Sequence, residues 1–207
     1  AAMVEETSAA ARNLTTEDAT VVGVDLRRFL PAAERAAGAH GLYPAGDFSE
    51  LAQAAQKALK FSGYHKPILV GHGAGAALAY GTLAQSPAGI FQGGVALDFT
   101  PVLATAHPLL AGDGGLAHAV APSGFTYQPA AKLSVPFVSL QTADGARDFF
   151  DKIPSVRVQS LAANAALAPQ VAQALAAVAP TAAPPRVSTA QLAGLPLVLS
   201  LIHISEP

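Results

Sequence analysis

The stretch Pro67-Ile-Leu-Val-Gly-His-Gly-Ala-Gly-Ala-Ala-Leu-Ala-Tyr80 constrains this chain more than any other. Ile68 to Val70 is an aliphatic run with no helical period, which reads as a short buried strand. Three glycines in five residues follow, and then small apolar residues that open a helix. Gly71-His72-Gly73-Ala74-Gly75 has the spacing of Gly-x-Ser-x-Gly, the strand-to-helix turn that lifts a nucleophilic side chain above a parallel sheet. Its central residue is Gly73, which has no side chain to attack with. The turn of a nucleophile elbow is present; the nucleophile is not.

Strands and helices alternate on both sides of this turn. Thr20 to Leu26, Ile68 to Val70, Gly93 to Phe99, Val135 to Gln141 and Val156 to Leu161 read as five strands. Helical spacing runs from Asp47 or Ser49 to about Phe61, from the turn to about Gln85, from Ala146 to Lys152 and from Pro169 to Ala179. Residues 1–14 read as a further helix, and Arg27 to Gly46 as an irregular connection broken by Pro31, Gly38, Gly41 and Pro44. The pattern predicts an α/β fold with a mostly parallel, doubly wound sheet of the α/β-hydrolase kind. Pro101 to Lys132 shows no period and many Gly, Pro and His residues, which suggests a lid-like excursion.

Composition narrows the chemistry. The 207 residues include no Cys, which excludes disulfides, thiolate metal sites and a cysteine nucleophile. The net charge of −2 gives no reason to expect nucleic acid or an anionic membrane surface as partner. No apolar run is long enough for a transmembrane segment, and no cofactor is expected. The boundaries expected are 1–179 for the domain, 180–198 for a proline-rich linker toward a second domain, and 199–207 for a tail. Leu199-Ser-Leu-Ile-His-Ile-Ser-Glu-Pro207 resembles the translation of a sequencing-library adapter, although Leu195 to Ile204 would pass for a strand on pattern alone.

Ligands of such sheets sit at the carboxyl ends of the strands, where this chain carries Asp25, the glycine turn, Asp98 and the loops after Gln141 and Leu161. For a Ser-His-acid hydrolase the chain order is nucleophile, acid, base. Asp144, in Gln141-Thr-Ala-Asp-Gly145, occupies the acid position; it would equally cap the helix that follows. The base position after the last strand falls on Asn164, so nucleophile and base are both substituted. A displaced group such as His72 is the alternative for an active ester or lipid hydrolase. Ser86 and Ser139 lack an elbow context. His107 and His118 flank Asp113 in the excursion without a recognised metal spacing, so no metal is expected, and Arg27-Arg28 is a candidate anion contact. A third reading comes from another class. Gly71-x-Gly73-x-x-Ala76 with Asp98 at the end of the next strand satisfies a dinucleotide-binding fingerprint, although a strand and a helix precede it.

Four segments together resemble one family. Thr20-Val-Val-Gly-Val-Asp-Leu-Arg-Arg-Phe-Leu30, Tyr43-Pro-Ala-Gly-Asp-Phe48, Pro67-Ile-Leu-Val-Gly71 and Leu83-Ala-Gln-Ser-Pro-Ala-Gly-Ile-Phe91 are similar to the N-terminal domain of VirJ/AcvB-type bacterial virulence proteins. The likeness spans most of residues 10–180, and Leu192-Ala-Gly-Leu-Pro-Leu-Val198 resembles the opening of that family's second domain. The resemblance implies a periplasmic α/β-hydrolase-fold protein of a Gram-negative bacterium. Larger members with two such domains are associated with hydrolysis of aminoacylated phosphatidylglycerol. The family's turn resembles Gly-Tyr-Ser-x-Gly and its base is a Gly-His after the last strand; this chain has His72-Gly73 and Ala163-Asn164 there. The first strand and oxyanion loop that the fold places upstream are not found, so an N-terminally truncated domain is expected. The reading that follows is a degenerate hydrolase domain, structural or ligand-binding, beside a catalytic second domain.

Overall fold

The computed structural model describes residues 19–38, 40–142, 146–161, 166–179 and 201–205. The helix expected over 1–14 and the linker over 180–198 lie outside them. Six strands form the main sheet: β1 (Ala19–Gly23), β2 (Ile68–His72), β3 (Gly93–Leu97), β7 (Phe137–Gln141), β8 (Val156–Ser160) and β9 (Leu201–Ser205). Their order is β1-β9-β2-β3-β7-β8. The pairs β2–β3, β3–β7 and β7–β8 are parallel, whereas β9 runs antiparallel between β1 and β2. The chain is thus an α/β protein with a mostly parallel central sheet, and all five expected strands lie in it.

Each central strand is buried on both faces, which is why its sequence reads as a continuous apolar run. Residues of alternating direction divide the interior in two. Leu69, Ala96 and Phe137 belong to one cluster, and Ile68, Val70, Val95, Leu97, Val138 and Leu140 to the other. Helix α5 (Leu167–Val178) closes the second cluster with Val171, Ala174, Leu175 and Val178 at helical spacing. Burial of a side chain such as Leu175 contributes about 1.5–3 kcal/mol relative to leaving it exposed.

The opposite face is covered by α1 (Leu26–Ala37), α2 (Pro44–Ala58) and α3 (Ala74–Gln85). Helix α1 replaces the irregular connection expected over Arg27 to Gly46. Asp25 caps it by accepting from the Arg27 N–H at 3.0 Å, and Phe29, Leu30, Ala33 and Ala37 pack on the core. Pro31 sits inside this helix, so the residue that argued for a break does not make one. Helix α2 starts earlier than its polar caps suggested, with Pro44 in the first turn, where a missing N–H costs nothing.

The excursion over 101–132 is also different from expectation. It contributes β4 (Val102–Leu103), β5 (His118–Ala121) and β6 (Gly124–Tyr127), an antiparallel sheet ordered β4-β6-β5. Leu103, Leu109, Leu116, Tyr127 and Ala130 are buried with the main core. Instead of forming a lid, the segment covers the outer side of α3. That accounts for a helix buried on every side: eleven of its residues, Gly75 to Gln85, are buried. The Tyr80 hydroxyl donates to the Gln128 carbonyl at 3.0 Å and accepts from the Ala130 N–H at 2.6 Å, and Gln85 donates to the Leu42 and Leu110 carbonyls. A short helix, α4 (Arg147–Phe150), adds Phe149 and Phe150 to the rings around Tyr80.

Candidate functional site

The turn between β2 and α3 is a tight strand-to-helix turn. Gly73 stands at φ 53°, ψ −115°, a conformation that a side-chain-bearing residue adopts only under strain. Its N–H donates to the Leu97 carbonyl at 3.0 Å, and its carbonyl accepts from the Ala76 and Ala77 N–H groups. The turn is therefore tied both to the neighbouring strand and to its own helix. A Cβ built on Gly73 meets nothing within 4 Å. The position where a nucleophile would project is open.

Gly71 is constrained differently. A Cβ there would run into the Gly75 carbonyl and the Ala76 nitrogen, so its glycine lets the first turn of α3 pack against the end of β2. Ala74 opens the helix, and Gly75 supplies the carbonyl against which Gly71 packs. These glycines explain the spacing of the motif as close packing of a strand on a helix.

Three side chains gather beside the open position. His72 ends β2, Asp98 follows β3 and Thr142 follows β7, so the parallel register brings them to one edge. The His72 Nε2 lies 3.5 Å from the Asp98 Oδ2. The Asp98 Oδ1 accepts from the Thr142 hydroxyl at 2.7 Å and from the Thr142 N–H at 3.1 Å. Asp98 holds φ 45°, uncommon for a non-glycine residue, and its own N–H donates to the Leu140 carbonyl at 2.9 Å. Both carboxylate oxygens thus have partners, and the imidazole has an orienting group. Chemically the trio can position a hydrogen-bonding ring or accept a proton; it contains no nucleophile.

The sequence placed Asp98 and His72 at this edge, but in competing readings, and did not pair them. Thr142 was missed. Its signal was only its position one residue beyond a strand end. Asp144 and Asn164, the expected acid and base positions, lie outside the described residues. Asp25 also reaches this edge, where it caps α1 and contacts the Arg27 guanidinium at 3.2 Å. Hydrogen bonding to Arg27 holds its carboxyl below the ordinary aspartate range. Arg27 is therefore engaged by Asp25, its side chain largely exposed.

Ser86, Ser139 and His118 have structural partners. The Ser86 hydroxyl donates to the Pro87 carbonyl, and Ser139 accepts from the Gln141 side chain at 2.7 Å within the core. His118 packs edge-on to Phe125 and near Tyr127. Among the described residues, no group of three or more His, Asp or Glu side chains gathers where it could hold a metal ion. In the dinucleotide reading Asp98 would accept from a ribose hydroxyl; its Oδ1 already accepts twice from Thr142, and its Oδ2 faces His72.

Comparison of the chain with protein-family models, with curated proteins and with solved structures returns no match. Among the described residues no helix is long and apolar enough to cross a membrane.

Proposed function

We propose that this chain is a degenerate α/β-hydrolase-like domain that serves as a structural or ligand-binding partner of a catalytic second domain. The observation that carries the reading is Gly73, held in the backbone of a nucleophile elbow with open space where the attacking side chain would stand. A turn with this conformation and no nucleophile can seat a ligand over the helix N-terminus without forming a covalent bond to it. By its resemblance to VirJ/AcvB-type virulence proteins, the domain would act in the periplasm. Its ligand would be an aminoacylated phospholipid or a small ester, and the second domain would carry the hydrolysis.

The test is ester hydrolysis by the purified chain and by the double variant Gly73→Ser/Asn164→His. The unmodified chain is expected to be inactive, and the double variant to gain turnover at least about a hundredfold above background, the contribution typical of a positioned general base. Turnover by the unmodified chain would overturn this reading.

A second reading has its own observation. His72, oriented by Asp98 and Thr142, is a displaced imidazole that could serve an active hydrolase by activating water. Should the unmodified chain turn over ester, His72→Gln abolishes that activity under this second reading and leaves it intact otherwise. Saturable binding of a nicotinamide dinucleotide would instead favour the dinucleotide reading.

A further inference from the structure

The net charge of −2 conceals a local excess of the opposite sign. From Leu51 to Leu97 the chain has no Asp or Glu, and three of its five lysines, Lys57, Lys60 and Lys66, fall within ten residues. The structure closes that segment onto itself. Lys60, two residues beyond α2, has a left-handed backbone, φ 58°, its N–H donating to the Lys57 carbonyl at 3.2 Å. Gln56 then holds the far end: its side-chain amide donates to the His65 carbonyl at 2.8 Å and accepts from the His65 N–H at 2.7 Å. Its backbone carbonyl accepts from the Phe61 N–H. Lys57 and Lys66 therefore flank the same Gln56–His65 bridge, and Lys60 lies on the loop that the bridge closes.

All three lysines are exposed, and among the described residues none forms an ion pair. Aromatic residues fall between Lys60 and Lys66 in the sequence. Tyr64 is 48% exposed, and Phe61 stacks edge-on with His65 at 5.8 Å. Ser62 and Gly63 form an exposed tip between the rings. The loop thus carries three exposed lysines and a half-exposed tyrosine on a frame that Gln56 closes.

We propose that this loop, Lys57 to Lys66, is a docking surface for an anionic lipid bilayer. Lysines are compact point charges suited to a diffuse negative surface, and a tyrosine places its ring at the headgroup level. The loop has no arginine fork for bidentate recognition of single phosphates, and nothing in it forms a groove for a nucleic acid strand. It precedes β2 and so lies at the amino ends of the strands, opposite the edge that carries Gly73, His72 and Asp98. Docking there leaves the candidate site open to a partner, and the inference does not depend on the function proposed for that site.

The experiment is co-sedimentation of the 207-residue chain with vesicles of phosphatidylcholine alone or mixed with phosphatidylglycerol. Binding is expected only to the mixed vesicles and to weaken as salt rises. Each of Lys57→Gln, Lys60→Gln and Lys66→Gln should lower the partition coefficient about fivefold, and the triple variant about a hundredfold. The control Lys132→Gln/Lys152→Gln/Arg157→Gln changes the net charge equally and should keep most of the binding. Equal loss in both triple variants would show that net charge, not the loop, governs association, and would overturn the proposal. So would equal binding to both vesicle types, or salt-sensitive retention by an oligonucleotide without vesicle binding. Thermal melting of each variant separates loss of binding from loss of fold.

Discussion

Gly71 and Gly73 stand two residues apart and answer to different constraints. Gly71 has no room for a Cβ because the backbone of Gly75 and Ala76 occupies the space. Gly73 has room but an unfavourable backbone, φ 53°. In denaturant unfolding, Gly71→Ala is expected to cost about 3 kcal/mol or more, since the clashing atoms are backbone and cannot move aside. Gly73→Ala should cost only about 1–2 kcal/mol of conformational strain. The reverse ranking would show that the turn does not hold the geometry described. The same asymmetry makes Gly73→Ser practical as a rescue substitution: the serine meets strain but no collision. The pairing of His72 with Asp98 is also decided at this scale. Neighbouring residues in sequence say nothing of it, because the parallel register of β2 and β3 sets the two strand ends side by side.

Among the elements, α3 carries the most information. Its sequence is apolar on every side, which in a chain of this size requires cover on every side. The sheet covers one side and the excursion over 101–132 the other. Gly81 marks the second contact, because a Cβ there would meet the Leu109 side chain. Gly81→Ala is therefore expected to destabilise the fold by about 1–3 kcal/mol. Combination with Leu109→Val should recover at least about 0.5 kcal/mol, as coupled neighbours do in a double-mutant cycle. Strict additivity in urea unfolding would show that the excursion does not press on α3 at this point. The excursion was opaque in sequence because its buried residues come from short strands and turns with no period long enough to read. Helix α1 was hidden for another reason: Pro31 and the nearby glycines read as breakers, while Asp25 supplied the cap and Phe29, Leu30, Ala33 and Ala37 the packing face.

At the scale of the molecule, buried Tyr80 joins the excursion to the rest, and Tyr127 ties the excursion to itself. Tyr80 touches the rings of Phe99, Phe137, Phe149 and Phe150 and bonds to residues 128 and 130, and the Tyr127 hydroxyl accepts from the Leu109 N–H. Burial pushes the Tyr80 phenol up to about 12 and raises that of Tyr127 as well. The unfolded chain loses these protons first, near pH 10. Tyrosine-linked stability is thus fully present below about pH 10 and is lost as pH rises through about 12. Equilibrium unfolding across that range should show the decline, and Tyr80→Phe should flatten it. At neutral pH the same variant is expected to cost about 1–3 kcal/mol, because the Ala130 N–H and the Gln128 carbonyl lose their partner. An alkaline decline unchanged in Tyr80→Phe would assign it to other groups.

The alternation of strands and helices, the glycine turn at Gly71 to Gly75 and the lack of a side chain at Gly73 could be read from the amino-acid sequence. Those features rest on local patterns: unbroken apolar runs, glycine spacing and the identity of one residue. Folding was needed to show that His72, Asp98 and Thr142 meet, that the segment over 101–132 packs on the core, and that three lysines share one closed loop. Each of those depends on chain segments far apart in sequence, brought together by strand register or by a side chain such as Gln56 or Tyr80. Net charge and periodicity average over such juxtapositions, and only packing resolves them.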